Sequence, residues 1–255
     1  MYMNGKVINS KALLKIFFIS ISLEISMYAN QGLLNCNDQY KEIWRSYLSG
    51  DIAQANMRYE QCTFSGEYIN DAMIHLKSGL LYQEGNYQKA IETIEPIKER
   101  TIHLYNLKND QLPKDEINDL YYHMLSVLGN SYFALHDYRN ASKFYELWLE
   151  STSDSKIQIL YYTAFSFYYL KEYDKTLKYF KQLYVTVPDI QRQSATAYNI
   201  AAIYALLDNT KESIKWLKIS FQYTKEASIE KLLQDKDFET IKKNAEFQHF
   251  IKKNR

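Results

Sequence analysis

The stretch that most constrains the fold runs from Leu128 to Glu146, where very small and very large side chains are combined at helical spacing. Gly129 and Ala141 add almost no bulk to what would be two helices joined by a turn. Helices of a hairpin approach most closely where such small residues face each other. Large rings would fill the space that these residues leave, namely Tyr132, Tyr138 and Tyr145. The stretch therefore predicts a tightly packed helix–turn–helix unit.

Weaker copies of this unit recur along the chain, each with a small residue early in its second helix. These residues are separated by 35, 51, 35 and 37 positions: Ala55, Ala90, Ala141, Thr176 and Ser213. With Leu128, Gly129 and the three tyrosines, the pattern resembles the tetratricopeptide repeat (TPR), a helix–turn–helix unit of ~34 residues. The resemblance implies an all-α fold, a right-handed α-solenoid of about five repeats. The implied repeats cover residues 39–63, 70–98, 120–151, 157–188 and 194–224, and a C-terminal capping segment covers 227–255.

The composition agrees with a helical fold, because Gly 7 and Pro 3 among 255 residues are too few for the tight turns of an all-β protein. The longest interval leaves an insertion near residues 98–119. Pro113 is followed by Lys114-Asp115-Glu116, which is typical of a helix start. We therefore expect an elongated helical hairpin with a loop at Asn109–Leu112, with a disordered loop as the alternative.

The N-terminal residues Met1–Ala29 combine three lysines with the apolar run Ile16–Leu23 and then small or polar residues. This order is typical of a secretory signal peptide, and the run is shorter than the ~20 apolar residues of a membrane-spanning helix. We expect cleavage after Ala29, a short linker over residues 30–38, and a mature protein that is periplasmic or secreted. Acylation at Cys36 is a weaker alternative, because Asn35 stands where bacterial lipoproteins have a small residue.

Cys36 and Cys62 are the two cysteines of the chain. They flank a predicted hairpin whose turn is at Gly50, so they would meet at its open end. Export would permit a Cys36–Cys62 disulfide. Two reduced, buried cysteines are the alternative.

Candidate catalytic and metal-ligating residues form no pattern in the sequence. The five histidines lack the close helical spacing of metal ligands, and there is no phosphate-binding glycine loop or nucleophile motif. A net charge of +1 gives no electrostatic reason to expect nucleic acid. We expect no catalysis, cofactor, metal, nucleic acid or small-molecule substrate.

In TPR arrays the first helices line a concave surface that binds peptides or proteins. The predicted groove is mostly aromatic: Asn130, Phe133, Tyr161, Phe165, Tyr168, Tyr169 and Tyr198. Tyrosine rings offer rigid apolar area and a hydroxyl group, which suits binding hot spots. The alternative is that the rings pack against each other inside a tight superhelix. The cationic clamp by which some TPR domains hold a carboxylate is absent, since only Asn130 matches it.

These observations predict a non-catalytic interaction scaffold of the cell envelope that binds a protein or peptide partner of unknown identity. The alternative is an intracellular TPR adaptor, regulator or effector that keeps its leader and reduced cysteines.

Overall fold

The computed structural model describes residues 42–60, 67–107, 114–152, 157–223 and 229–254. All regular secondary structure in these ranges is helical, which confirms the all-α class. The predicted leader, the linker, Cys36, Cys62 and the loop predicted at Asn109–Leu112 lie outside the described residues. None of the described helices is long and apolar enough to cross a membrane.

The helices follow each other in pairs joined by short turns. The first pair comprises residues 42–49 (α1) and Ile52–Glu60 (α2). The following pairs are Glu67–Gln83 (α3) with Tyr87–Asn106 (α4), Lys114–Ala134 (α5) with Tyr138–Ser151 (α6), Ile157–Tyr169 (α7) with Tyr173–Thr186 (α8), and Ile190–Leu206 (α9) with Thr210–Tyr223 (α10). The chain then forms Ile229–Gln234 (α11), a 3-10 helix over Lys236–Ile241, and Ala245–Asn254 (α12). Helix α4 continues through Pro96.

One turn geometry connects the two helices of all five pairs. A single residue in each turn has a left-handed backbone: Gly50 (φ 83°), Gly85 (φ 82°), His136 (φ 62°), Lys171 (φ 60°) and Asp208 (φ 57°). Its N–H donates to the carbonyl three residues earlier, and the next N–H donates to the carbonyl five residues earlier, at 2.8–3.1 Å. This is the Schellman motif, which satisfies the last carbonyls of a helix.

The second helix of each pair starts in the same way. The residue after the left-handed one accepts, through its carbonyl, a hydrogen bond from the N–H of a fully buried small residue. These small residues are Ala55, Ala90, Ala141, Thr176 and Ser213, each 0% exposed. The side chains of Asp51, Asp137 and Asn209 also accept a hydrogen bond from the N–H three residues on, which caps the helix.

The described residues divide into two compact units, with the boundary between Phe144 and Tyr145 within α6. In the N-terminal unit α3, α4 and α5 pack against each other, and α2 packs on α3. Helices α1, α2 and α3 share a core that contains Ile43, Trp44, Tyr47, Ala55, Met73, Leu76 and Leu80.

In the C-terminal unit α7 packs on α8, α8 on α9 and α9 on α10. The 3-10 helix lies on α9, and α12 lies on α10. The C-terminal helices share one core with α9 and α10, to which Leu232, Phe238, Ile241, Phe247 and Ile251 contribute. Residues 229–254 are thus an integral layer of this unit.

The left-handed backbone of the shared turn predicts that one substitution lowers the stability of the protein and that another raises it. A Cβ atom added at Gly85 would meet no atom within 4 Å, so the cost of Gly85→Ala is that of the left-handed backbone alone. We expect this change to lower the free energy of unfolding by about 1 kcal/mol. Lys171→Gly should raise it by roughly 0.5 kcal/mol, because glycine relieves the strain at φ 60° but loses more entropy on folding.

Urea denaturation of the purified variants measures both effects. Lys89→Ala, at an exposed position of α4, is the matched control and should change stability by less than about 0.5 kcal/mol. Equal effects of Gly85→Ala and Lys89→Ala would contradict the role assigned to the turn.

Candidate functional site

The residues predicted for the groove are distributed over both units. Asn130 and Phe133 lie on α5 in the N-terminal unit and are half-buried. The Phe133 ring packs edge-on against Tyr138 across the third turn, with 5.3 Å between ring centroids. The other five predicted residues lie on α7 and α9 in the C-terminal unit.

Phe165 is the centre of an aromatic cluster on α7. It is 1% exposed, and its ring packs perpendicular to Phe180 of α8 with 5.3 Å between centroids. The half-buried rings of Tyr161, Tyr168 and Tyr169 lie around it at 4.4, 6.4 and 6.5 Å. Burial raises the pKa of the Tyr161 phenol to about 12. Phe165 is therefore a core residue, whereas the three tyrosines form the edge of the cluster.

The C-terminal segment contacts this cluster through Tyr168. The Tyr168 hydroxyl donates to the carboxylate of Asp237, with 2.9 Å to Oδ1 and 3.2 Å to Oδ2. Burial and the nearby Asp237 carboxylate both raise the pKa of Tyr168, so the phenol stays protonated and can donate.

A second tyrosine binds the same segment from α9. The Tyr198 hydroxyl donates to Oδ2 of Asp235 at 3.0 Å, while Oδ1 of Asp235 accepts the backbone N–H of Asp237 at 3.0 Å. The Asp235 carboxylate thus caps the 3-10 helix with one oxygen and binds α9 with the other. Asp237 is 8% exposed.

An aromatic side chain follows the two aspartates. Phe238 is fully buried, and its ring lies 5.5 Å from Tyr198 and 6.1 Å from Phe247. The adjacent face of α9 is made of small residues of the same core, namely Ala201, Ala202 and Ala205. The Thr240 hydroxyl donates to the carbonyl of Ala205 at 2.5 Å. Small side chains on α9 therefore let the segment approach the helix backbone.

The structure accordingly brings Tyr161, Phe165, Tyr168 and Tyr169 together and places Tyr198 under the C-terminal segment. Sequence reasoning predicted that this segment would cover the end of the array but did not pair it with the tyrosines. The signal available was the pattern Asp235-x-Asp237-Phe238, two acidic residues before an aromatic one.

Sequence reasoning also missed a buried polar cluster in the N-terminal unit. His75 on α3 and His123 on α5 have ring centroids 6.0 Å apart, and both rings are buried. His75 Nε2 lies 3.1 Å from the Thr101 hydroxyl, and His123 Nε2 lies 3.4 Å from the Tyr47 hydroxyl. Gly79 makes room for this cluster, because a Cβ atom there would lie 2.5 Å from Tyr47 Oη.

Burial sets the protonation of both histidines. It lowers the pKa of His123 to about 4, and burial together with repulsion from His123 lowers the pKa of His75 well below its usual value. Both rings are therefore neutral at pH 7. Within the described ranges no three His, Cys, Asp or Glu side chains are grouped so that they could hold a metal ion.

A scan of the chain against protein-family models finds no match, and a search of curated proteins finds no relative at a significant level of similarity.

The contact between Tyr168 and Asp237 is expected to stabilise the C-terminal unit. Tyr168→Phe removes the donor and Asp237→Asn removes the charge of the acceptor, so each should cost about 1–2 kcal/mol of unfolding free energy. The double variant should lose about 1 kcal/mol less than the two single variants together, because Tyr168→Phe removes and Asp237→Asn weakens the same hydrogen bond. Tyr204→Phe is the control, because it also removes a tyrosine hydroxyl, but one that accepts an exposed hydrogen bond from Lys181. Full additivity in a urea-unfolding cycle would show that the two groups do not interact.

The histidine cluster predicts a loss of stability in acid. The folded-state pKa of His123 lies below the value of about 6.5 in an unfolded chain. The unfolded chain therefore binds more protons between roughly pH 6.5 and pH 4, and stability falls as the pH falls through this window. For one such histidine the fall is at most about 1.4 kcal/mol per pH unit.

Urea unfolding at several pH values measures this slope in the parent and in His123→Gln, which should show a smaller one. Burial and the like charges of Asp115 and Glu116 raise the pKa of Asp119 to about 6, which works in the opposite direction in parent and variant alike. The difference between the two slopes therefore reports His123 together with its effect on His75, whose pKa His123 also lowers. His103→Gln, at an exposed position of α4, controls for the loss of a histidine. Parallel slopes for parent and His123→Gln would contradict the assignment.

Proposed function

We propose that the chain is a non-catalytic scaffold that binds a protein or peptide partner through a TPR-like array of five helical hairpins. The observation that carries this proposal is the shared turn geometry, with one left-handed residue and one buried small residue in each pair of helices. The turns recur at 35, 51, 35 and 37 residues, the intervals found in the sequence. Three of these intervals are close to the ~34 residues of a TPR.

Repeating helical hairpins favour a binding role over catalysis. Such arrays form extended surfaces on which a partner contacts several neighbouring helices. The first helix of each pair supplies the face predicted to bind, and in the C-terminal unit these helices are α7 and α9. Tyrosine accounts for four of the 13 residues of α7.

We place the partner contact in the C-terminal unit on Tyr161 and Tyr169. Both rings are half-buried and pack against the buried Phe165. Part of each ring is therefore accessible to a partner, while Phe165 holds the ring in place. Rigid aromatic side chains lose little conformational entropy on binding. Tyr168 and Tyr198, in contrast, already bind the C-terminal segment.

The proposed location is the periplasm or the exterior of the cell, and it rests on the leader Met1–Ala29. An export-dependent scaffold should meet its partner outside the cytoplasm. N-terminal sequencing of the fractionated protein tests the location independently of the partner.

Site-specific photo-crosslinking tests the binding face without damaging the core. Replacing Tyr161 or Tyr169 with p-benzoylphenylalanine keeps an aromatic ring and should yield the same discrete crosslinked partner from both positions. The probe at Tyr204 is the matched control, because that ring lies against Lys181 of α8. We expect at least tenfold less crosslinked product from the control.

The partner identified by mass spectrometry is then purified and its affinity measured against Tyr169→Ala. We expect a loss of affinity of about tenfold or more, equivalent to roughly 1.4 kcal/mol or more, with an unchanged circular dichroism spectrum. Equal crosslinking from all three positions, or unchanged affinity, would refute the proposed face.

A further inference from the structure

The hairpin of α1 and α2 is held on the N-terminal unit at a pair of buried histidines. The Trp44 and Tyr47 rings of α1 pack edge-on against the His123 ring of α5, with 5.3 and 6.0 Å between centroids. The His75 ring of α3 also packs against His123, at 6.0 Å. We propose that proton uptake by His75 and His123 releases the hairpin α1–α2 from α3 and α5 while the rest of the protein stays folded.

The hydrogen bonds of His75 show which of its nitrogens takes up the proton. The Thr101 hydroxyl donates its one proton to the carbonyl of Ile97 at 3.0 Å, so it accepts a hydrogen bond from His75 Nε2 at 3.1 Å. The neutral ring therefore carries its proton on Nε2, and Nδ1 is free to take up another. This Nδ1 is buried and has no hydrogen-bond partner among the described residues. Protonation would place a charge and an unsatisfied donor in the core.

Protonation of His123 meets the same obstacle. Its Nδ1 is also buried without a partner in the described part of the chain, and its Nε2 lies 3.4 Å from the Tyr47 hydroxyl, which is neutral. Two charged rings in contact would also repel each other. The charged state therefore needs water, and water reaches His123 when α1 moves away.

The carboxylates nearest the two histidines cannot balance the new charges. Asp71 lies one turn before His75 on α3, but its buried carboxylate already binds Arg100 of α4. Asp119 lies one turn before His123 on α5, and burial together with the charges of its own helix raises its pKa to about 6. Because this value lies above the pKa of His123, Asp119 becomes neutral before His123 is protonated.

The charged residues of the hairpin itself are engaged with each other. Glu42 of α1 binds Arg45 of the same helix and Arg58 of α2, and all three side chains are partly exposed. They lie on the outer side of the hairpin, away from the buried histidines. They therefore do not hold the hairpin on α5 when the histidines become charged.

The hairpin is the part of the N-terminal unit that opens most easily. Helix α1 has eight residues and α2 has nine, lengths at which a helix has little stability by itself. Helices α3, α4 and α5 have 17 to 21 residues and pack against each other. Local opening of a short peripheral element costs less free energy than global unfolding. Its release would uncover the residues of α3 that share its core, Met73, Leu76 and Leu80.

The direction and size of the pH effect follow from His123. Burial lowers its pKa to about 4 in the closed form, and contact with water would restore the ordinary value of about 6.5. The open form binds more protons between these two values, so opening is favoured as the pH falls through this window. For this one group the opening equilibrium rises roughly fiftyfold from pH 7 to pH 4.5.

Amide hydrogen exchange of the full chain, measured by mass spectrometry near pH 7 and near pH 4.5 and corrected for the intrinsic pH dependence of exchange, tests the release. In the parent we expect exchange within α1 and α2 to become at least tenfold faster at the lower pH. Exchange within α4, α5 and α8 should stay within about twofold, because these helices remain packed.

Two variants connect the release to the histidines. His123→Gln keeps a polar side chain of similar size that cannot be charged, and it should lose most of the acid-induced increase. His75→Gln should lose part of it and serves as a second variant if His123→Gln folds poorly. His103→Gln, at an exposed position of α4, is the matched control and should behave as the parent.

The parent alone can overturn the inference. Unchanged exchange in α1 and α2 would show that the hairpin is not released, and an equal increase in α4 and α5 would show global unfolding instead. An undiminished increase in both histidine variants would show that other groups take up the protons. The inference concerns the N-terminal unit only, so none of these outcomes affects the binding face proposed at Tyr161 and Tyr169.

Discussion

The turn between paired helices is the constraint on which the rest of the structure depends. A left-handed residue reverses the chain and satisfies the end of the first helix, and a fully buried small residue follows it on the second helix. The two requirements act together, because a sharp reversal brings the helices so close that a large side chain cannot stand between them. Large rings are thereby pushed to the flanks of each contact, as with Tyr132 stacked on Phe144 at 5.7 Å.

Structural features that depend on residues close together in the chain could be predicted from the sequence. The turns at Gly50 and Gly85 and the buried Ala55, Ala90 and Ala141 depend on residues within one hairpin, so their pattern is visible in the chain. Features set by distant contacts could not. Tyr168 and Asp237 are 69 residues apart. The sequence around a tyrosine does not indicate which distant aspartate its hydroxyl will bind. The closeness of His75 and His123 likewise depends on how α3 packs on α5.

The residues predicted for the groove show the same limit, because distant contacts decide which of them are buried. Phe165 and Phe167 lie between two pairs of half-buried tyrosines on one helix, and helical spacing alone cannot say which ring faces the core. Phe165 is buried because Phe180 of α8 covers it. Tyr198 is buried because the C-terminal segment lies on it. In both cases the burial is decided by an element outside the helix that carries the ring.

Tyrosine has a consistent role in the C-terminal unit, where three phenols donate to carboxylates: Tyr168 to Asp237, Tyr179 to Glu146 and Tyr198 to Asp235. A phenol can bind an acid in a half-buried place at a lower desolvation cost than a lysine, because only one of the two groups is charged. Burial and the neighbouring carboxylates raise the pKa of Tyr168 and Tyr179, so these donors keep their protons over the whole physiological range. The contact between Tyr168 and Asp237 is therefore insensitive to deprotonation of its donor, and its strength is set by the hydrogen-bond geometry and by the ring packing beside it.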